Sequence, residues 1–338
     1  MSKIKVVVWG FGNMGKGIVK GILSKQKFEL TGVIVNHQKE LAGKKISDIL
    51  GTGNSNAVVY TKFEDAIATV KPDVIVHATG SFMKEIEGEL TRIIENKINI
   101  VTIAEQAAYP WANAPEIADR LDQLAKQNGI SLVGTGVNPG FVLDSLVILL
   151  SGACLDVESI EASRINDLSP FGPTVMKTQG VGTTVEEFKK GIEEGTIVGH
   201  IGFEESIHMI AKALGWKIEK ITQTREPIIT EVERETSCVK VPKGGVAGCR
   251  HIAEGWVDGK IKIKLIHPQQ IHPGMADVKT GDYITIKGTP NINVANSPEI
   301  PGGIGTMATA VNIIPMVYEA EPGFKTMADL PMVHAIVN

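Results

Sequence analysis

A glutamate that directly follows an apolar run is the first candidate for chemistry. The run Ile100 to Ala104 is β-branched and apolar, which is typical of a buried strand, and Glu105 comes next in the stretch TIAEQAAYPW. A carboxylate at the mouth of a buried strand costs free energy unless it is paired or protonated. Two interpretations follow: Glu105 is a catalytic acid/base group, or it is a solvated loop residue.

A glycine-rich stretch near the start of the chain predicts a dinucleotide site. WGFGNMG carries the G-x-G-x-x-G pattern through Gly10, Gly12 and Gly15, directly after a strand pattern and at the start of a helix pattern. The first glycine permits a tight turn, the second lets a pyrophosphate approach the backbone, and the third lets the helix pack close to the strand. The free N–H groups of the helix N-terminus, including those of Asn13 and Met14, should then bind the phosphates.

The end of the second strand pattern bears on the choice between NAD and NADP. Enzymes specific for NAD usually place Asp or Glu here, on the ribose hydroxyl, whereas this chain has Asn36 and His37. An asparagine can bond that hydroxyl without repelling a 2′-phosphate. No arginine follows whose guanidinium could bind a phosphate through two parallel hydrogen bonds. His37 and Lys39 would help only weakly. The pattern predicts mixed use of NAD and NADP; the alternative is that Asn36 only caps a turn.

The remaining cofactor candidates follow later strands. In a doubly wound sheet the carboxyl ends of the strands face the cofactor crevice, so small residues there leave room for the ribose and nicotinamide, and Glu105 should lie near the nicotinamide. An asparagine in GTGVNPG follows the next strand, and its amide is a candidate for bonding the carboxamide or the substrate. His77 is interpreted as a packed strand residue. The predicted contacts at this edge are Ala78, Thr79, Gly80, Ala104 and Asn138.

Strand and helix patterns alternate over the first 135 residues, which predicts an α/β, Rossmann-type doubly wound parallel sheet. The strand patterns are Ile4 to Trp9, Leu30 to Val35, Val74 to Ala78, Ile98 to Ala104 and Ile130 to Gly134, and the helix patterns include Ile86 to Asn96 and Pro115 to Gln127.

After residue 140 the pattern changes. We expect an apolar helix over Phe141 to Leu150, a strand over Val157 to Asn166, a capping box at Thr183 to Glu186, a helix over Glu204 to Leu214 and mainly strands from Trp216 onward. Asp258-Gly259 predicts a hairpin, followed by Ile261, Ile263 and Leu265 on a buried face. The apolar stretch Gly302 to Ala320, with a kink or boundary at Pro315, predicts a buried helix that packs back on the first domain.

Composition limits the partners and the compartment. A formal net charge of −4 gives no basic field for nucleic acid, and no apolar stretch is long enough to cross a membrane. The three cysteines are odd in number and form no CxxC pair, which argues against a disulfide framework or a structural zinc site. We therefore predict a cytoplasmic protein with a small-molecule substrate, no nucleic-acid or membrane partner, and no metal.

Five stretches carry a resemblance that covers essentially the whole chain: WGFGNMG, TIAEQAAYPW, GTGVNPGF, SRINDLS and the terminal GGIGTMATAVNIIPMVYEAEPGFKTMADLP. The sequence resembles the 2,4-diaminopentanoate dehydrogenases and the native amine dehydrogenases related to them. The resemblance implies a dihydrodipicolinate reductase-like architecture with a Rossmann domain over residues 1–138. An α+β open-sheet domain over 139–300 would build the substrate site and a homodimer interface, and a helix and tail over 301–338 would pack on the Rossmann domain.

The resemblance also implies an activity. The family reaction is reversible NAD- or NADP-dependent oxidative deamination of the C4 amine of 2,4-diaminopentanoate, and relatives carry out reductive amination of small ketones and aldehydes with ammonia. The position of the family's catalytic carboxylate matches Glu105. The paired-histidine and lysine signature of the reductases is absent, which argues against their activity.

Substrate selection is expected in the second domain. Arg164 and Asn166, in SRINDLS, end a strand, and Phe171 and Thr174 follow in a Gly/Pro-rich loop that suits a pocket wall. The arginine either holds a substrate carboxylate through its fork or pairs structurally with Asp167 or Glu161.

Other interpretations stay open. His267 and His272 flank Pro-rich turns without metal-ligand spacing and are structural or near the substrate. Another oxidoreductase of the dihydrodipicolinate reductase-like group and a silent dinucleotide sensor are the alternatives. A semialdehyde dehydrogenase would need an activated cysteine, which nothing in the sequence supports.

Overall fold

The computed structural model of the chain describes residues 2–51 and 55–338. It divides into two compact units. The first is formed by Met1–Phe141 together with Gly302–Asn338, and the second is Val142–Pro301. No helix within the described ranges is long and apolar enough to cross a membrane.

The N-terminal part of the first unit alternates strands and helices. Its elements are β1 Ile4–Trp9, α1 Asn13–Leu23, β2 Phe28–Ile34, α2 Ile46–Leu50, β3 Val58–Tyr60, α3 Phe63–Val70, β4 Val74–His77, α4 Met83–Glu95, β5 Asn99–Thr102, α5 Pro115–Asn128 and β6 Ser131–Gly134.

The second unit begins with a helix and is then dominated by strands. Its elements are α6 Ser145–Ser151, β7 Asp156–Asp167, α7 Pro173–Thr178, α8 Val185–Glu193, α9 Phe203–Leu214, β8 Lys220–Ile229, β9 Arg234–Glu235, β10 Lys240–Val241, β11 Val246–Val257, β12 Lys260–Gln270, β13 Gly281–Thr289 and β14 Ile292–Asn296. The chain then returns to the first unit with α10 Gly302–Asn312, α11 Ile314–Glu319 and β15 Gly323–Lys325.

The sheet of the first unit is parallel throughout and has the order β15-β6-β5-β4-β1-β2-β3. The sheet of the second unit has the order β14-β13-β7-β12-β11-β8, in which only β7 and β12 pair in parallel. The predicted α/β class, a Rossmann-type sheet plus a mixed open sheet, is therefore confirmed. The sequence patterns missed β3 and β15, since three residues are too few to show an alternation.

Within the first unit, glycines on α1 let the C-terminal helix α10 pack closely against it. A Cβ on Gly17 would lie 2.0 Å from the Met307 sulfur, and one on Gly21 would lie 3.0 Å from a methyl group of Val311. Larger side chains at these two positions would force the helices apart. The predicted helix over 302–320 is in fact two, because α10 ends at Asn312 and Pro315 lies in the first turn of α11.

Local chemistry explains several other boundaries. The capping box exists but lies one residue later than predicted, because the Thr184 hydroxyl accepts from the Glu187 N–H. The predicted helix over 141–150 begins only at Ser145. The Asp258-Gly259 hairpin is confirmed, and both of its residues have positive φ. Ile261 was predicted to be buried but is 37% exposed, next to a register shift at Gly255/Trp256.

Candidate active site

The glycine turn after β1 has the geometry that a phosphate-binding turn requires. Gly10 has φ +106°, and a Cβ there would lie 2.2 Å from the Ala78 carbonyl oxygen. A Cβ on Gly15 would lie 2.0 Å from the Gly10 carbonyl oxygen, so only glycine allows this helix-strand packing. At Gly12, by contrast, nothing lies within 4 Å of the Cβ position. The middle glycine therefore opens the backbone toward a space that a ligand can enter.

A groove of about 290 Å³ lies beside this turn. It is lined by Gly10, Phe11, Gly12, Val35, Asn36, His37, Gln38, Ala78 and Thr79. Helix α1 begins at Asn13, and no side chain caps its N-terminus, which leaves backbone N–H groups for an anion. The residues present thus suit the pyrophosphate and adenosine half of a dinucleotide.

Asn36 is held by two side chains. Its Oδ1 accepts from the Trp9 indole N–H at 3.0 Å, and its Nδ2 donates to Glu89 Oε1 at 2.8 Å. These are not the contacts of a turn-capping residue. The amide is oriented by the interior of the first unit, while the residue itself is exposed at the groove.

The residue behind this contact, Glu89 on α4, was missed in the sequence. Its Oε2 accepts from the Thr79 hydroxyl at 2.5 Å and lies 2.7 Å from His77 Nε2. Burial acts to raise the pKa of Glu89, but hydrogen bonds from His77 and Thr79, the electrostatic attraction of His77 and a hydrogen bond from Asn36 outweigh it and lower the pKa to about 2. A signal did exist, because Glu89 lies three residues after Ile86 and four before Ile93, at the edge of the apolar stripe of α4.

Glu105 opens a short 3₁₀ turn, Glu105–Ala108, that follows β5, and the preceding Ala104 is buried. The side chain is partly buried. Burial raises the pKa of Glu105, and a hydrogen bond from Ser81 opposes this. The turn is anchored to the start of α4, since the Gln106 N–H donates to the Ser81 carbonyl at 3.1 Å and the Met83 N–H donates to Gln106 Oε1 at 2.9 Å.

Strand order relates this carboxylate to the glycine turn. Strand β5 is two positions from β1, with β4 between them, so their carboxyl ends are about 10 Å apart. Glu105 therefore lies along the same edge as the glycine turn, on the side of β1 away from Asn36. That is the direction in which the nicotinamide half of a dinucleotide extends from a pyrophosphate at β1.

Asn138 lies in the loop after β6, the next strand along this edge. Both polar atoms of its side chain are buried, and neither has a hydrogen-bond partner among the described residues. The loop is held by the C-terminal segment, because the Val137 N–H donates to the Thr306 hydroxyl at 3.1 Å. Orphaned buried polar atoms are rare in folded proteins, and a ligand that supplies the missing partners is one explanation.

In the second unit, Arg164 pairs with a carboxylate that the sequence did not indicate. Its Nη1 donates to Asp282 Oδ1 at 2.5 Å, and its Nη2 donates to the Ile300 carbonyl oxygen. Of the two alternatives, the structural pairing exists, but its predicted partners Asp167 and Glu161 are wrong. Residues three apart on a strand point to opposite faces, whereas Asp282 lies directly across from Arg164 in the β7–β13 register.

A cluster of buried polar groups surrounds this arginine. His267 Nδ1 lies 2.6 Å from the Arg164 carbonyl oxygen, and the rings of His267 and His200 are 4.9 Å apart. Burial, reinforced by the positive charge of Arg164, lowers the pKa of His200 to about 3. His200 Nε2 and Asn166 Oδ1 have no hydrogen-bond partner in the described part of the chain. Sequence reasoning missed His200, which carries no motif.

The other predicted substrate residues lie elsewhere in this unit. Phe171 is packed against a small apolar cluster that includes Leu168 and Met176, and Thr174 is exposed in the first turn of α7. His272 Nε2 lies 2.7 Å from the Glu235 carbonyl oxygen. Within residues 2–51 and 55–338, no group of three or more His, Cys, Asp or Glu side chains is arranged to hold a metal.

A parallel doubly wound sheet whose first turn opens to a phosphate, beside a groove next to that turn, defines a Rossmann-type dinucleotide-binding protein. Comparison with known proteins narrows this class. Residues 141–338 match the model of the 2,4-diaminopentanoate dehydrogenase C-terminal domain, and residues 4–103 match that of the dihydrodipicolinate reductase N-terminus. The chain belongs to the 2,4-diaminopentanoate dehydrogenase family.

Individual relatives agree with this assignment. The chain is 48% identical to the 2,4-diaminopentanoate dehydrogenase of Acetoanaerobium sticklandii, over 100% of this chain and 96% of the relative. It is 27% identical to an amine dehydrogenase of Streptomyces virginiae, over 98% of both. Among solved structures, the amine dehydrogenase from Mycobacterium smegmatis superimposes with a TM-score of 0.86 at 26% identity, covering 99% of this chain and 98% of that one.

Proposed function

We propose that this protein oxidises the C4 amine of 2,4-diaminopentanoate with NAD or NADP, and that Glu105 is its acid/base group. In reverse, the same site would aminate small ketones and aldehydes with ammonia. The observation that carries the proposal is a partly buried carboxylate with a raised pKa at the nicotinamide end of the sheet edge. The 48% identity to a 2,4-diaminopentanoate dehydrogenase supports the substrate.

The chemistry explains why a carboxylate is needed. Hydride leaves the carbon that bears nitrogen only when the nitrogen has a free lone pair, and an ammonium has none. Glu105 would take the proton from the substrate ammonium and pass it to solvent, so that its ionised carboxylate can stabilise the positive iminium that forms. A pKa raised by burial brings the carboxylate closer to the pH at which proton transfer is efficient.

The rest of the reaction balances with water. When bound, the nicotinamide supplies the hydride acceptor, and the residues of the glycine turn and the groove would hold the dinucleotide. The ionised Glu105 would then take a proton from a water molecule that attacks the iminium carbon, and would give that proton to the departing nitrogen. Breaking the C–N bond releases ammonia and leaves the ketone, so one amine, one water and one oxidised cofactor give one ketone, one ammonia, one reduced cofactor and one proton.

Several side chains are proposed to position the reactants. The orphaned amide of Asn138 would bond the carboxamide of the cofactor or the substrate. Arg164 stays a candidate for a substrate carboxylate, because each of its two terminal nitrogens carries a second hydrogen beyond those donated to Asp282 and Ile300. The orphaned Asn166 Oδ1 is a candidate acceptor for a substrate ammonium. Phe171 and Thr174 remain weaker candidates for the pocket wall.

We also propose a cytoplasmic homodimer, as the family resemblance implies. Light scattering behind a sizing column would measure the mass in solution against the 36.3 kDa of one chain. A single species at the mass of one chain, at micromolar concentration, would contradict the homodimer.

A spectrophotometric assay tests the function. Purified protein should reduce NAD or NADP with 2,4-diaminopentanoate and, more slowly, with simple amines, and should not oxidise a dihydrodipicolinate reductase product. Reduction with neither class of amine, together with normal cofactor binding, would indicate the silent sensor instead. Burial raises the pKa of the Cys249 thiol to about 12, so this cysteine does not suit the activated nucleophile that a semialdehyde dehydrogenase would need.

A further inference from the structure

We propose that Glu89 of α4 selects the cofactor: acting through Asn36 and Thr79, its carboxylate makes the adenosine groove accept NAD in preference to NADP. The proposal rests on the dinucleotide cofactor of the proposed function but not on the amine substrate. It replaces the mixed cofactor use that Asn36 alone predicts.

The Glu89 carboxylate bonds side chains on two walls of the groove. Glu89 Oε1 accepts from Asn36 Nδ2 at 2.8 Å, and Oε2 accepts from the Thr79 hydroxyl at 2.5 Å. Both donors line the groove, Asn36 after β2 and Thr79 after β4. Glu89 therefore connects the walls on either side of β1, and 21% of its side chain is exposed.

These contacts fix the orientation of Asn36. Its Oδ1 is engaged by the Trp9 indole N–H, so the amide nitrogen faces Glu89. The second hydrogen on that nitrogen remains to donate to the ribose 2′-hydroxyl, at the position where NAD enzymes usually present a carboxylate. The acidic group that usually follows β2 is thus replaced by Glu89 on α4, which acts through its hydrogen bond with Asn36.

The charge of this carboxylate opposes a 2′-phosphate. The His77 and Thr79 hydrogen bonds hold Glu89 ionised at neutral pH. A 2′-phosphate that accepted a hydrogen bond from Asn36 would come close to the Glu89 carboxylate, which accepts from the same amide nitrogen. The two negative charges would repel each other substantially in a partly buried site. His37 and Lys39 would attract the phosphate, but both are exposed, so solvent and salt weaken their pull.

The same geometry explains why residue 36 is not an aspartate. An aspartate at this position would present a carboxylate oxygen to Glu89 at about the 2.8 Å that now separates donor and acceptor. Two carboxylates at that distance cannot both be ionised without a large penalty. Asparagine keeps the ribose contact, donates to Glu89, and leaves the negative charge on α4.

Fluorescence titration with NADH and NADPH tests the proposal without any amine. Wild-type protein should bind NADH on the order of tenfold more tightly than NADPH, and Glu89→Gln, which keeps the shape and removes the charge, should close most of that gap by tightening NADPH binding. The matched control is Glu95→Gln, which removes an exposed carboxylate at the end of the same helix and should leave the ratio unchanged.

Two outcomes would overturn the proposal. The first is a wild-type protein that binds NADH and NADPH equally tightly. Glu89→Gln that weakens NADH and NADPH by the same factor would show that the carboxylate only braces the groove. Asn36→Ala separates the two effects, because it removes the ribose contact but keeps the charge at position 89: NADH should bind less tightly, and a smaller preference for NADH should remain. A preference abolished by Asn36→Ala and unaffected by Glu89→Gln would assign selection to Asn36.

Discussion

Arg164 and Asp282 face each other across neighbouring strands as a buried ion pair, with 2.5 Å between Nη1 and Oδ1. Their side chains are 2% and 4% exposed. Asp282 is engaged further, since its Oδ2 accepts from the Ile300 N–H at 2.8 Å. The pair therefore joins β7, β13 and the segment after β14 within the second unit.

Breaking this pair should destabilise the protein. Arg164→Ala leaves a buried carboxylate without its counter-charge, which costs about 3–5 kcal/mol of unfolding free energy. Urea unfolding measures the loss, and adding Asp282→Ala should recover part of it. An Arg164→Ala protein as stable as wild type would contradict a structural role for the pair.

The substrate role of Arg164 needs a separate measurement in a folded variant. Arg164→Lys keeps a cation opposite Asp282 but loses the planar fork. If the arginine also holds a substrate carboxylate, this change should raise KM for a diamino acid far more than for an alkyl amine. Equal effects on the two substrates would leave only the structural role.

The buried histidines of the second unit should make stability depend on pH. Burial lowers the pKa of His251 to about 2 and that of His267 well below its ordinary value, so the folded state stays neutral while the unfolded state binds protons below about pH 6.5. The unfolding free energy should thus fall with decreasing pH, by roughly 1.4 kcal/mol per pH unit for each such histidine. His251→Gln, compared with wild type by urea unfolding between pH 6 and 5, should reduce this slope; an unchanged slope would be inconsistent with a neutral buried ring.

Ser81 should tune the pH dependence of catalysis. Its hydrogen bond lowers the pKa of Glu105 against the opposing effect of burial, so Ser81→Ala should raise that pKa further. Because the base must be ionised to accept a proton, the acid limb of the kcat profile for amine oxidation should move to higher pH. Ser47→Ala, a matched change in α2, should leave the profile in place. An acid limb at the same pH in the Ser81→Ala protein would show that the ionisation of Glu105 does not set that limb.

Sequence patterns predicted the first unit better than the second because its signals are local. The glycine turn after β1 and the alternation of strands and helices each lie within a few dozen residues. The Asn36–Glu89 contact joins residues 53 apart and depends on how α4 packs, and the Arg164–Asp282 contact depends on the β7–β13 register over 118 residues. Strand β15 escaped notice because it is a three-residue edge strand that only the parallel pairing with β6 defines.

Glu105→Gln tests most directly whether Glu105 is the acid/base group, since the change keeps the shape of the side chain and removes its charge. We expect kcat for amine oxidation to fall by at least ~10²-fold, while NADH affinity by fluorescence titration stays within about twofold of wild type. Glu116→Gln, at an exposed position in the first turn of α5, is the matched control and should be fully active. A Glu105→Gln protein that binds NADH normally and turns over the amine at near wild-type rate would contradict the assignment.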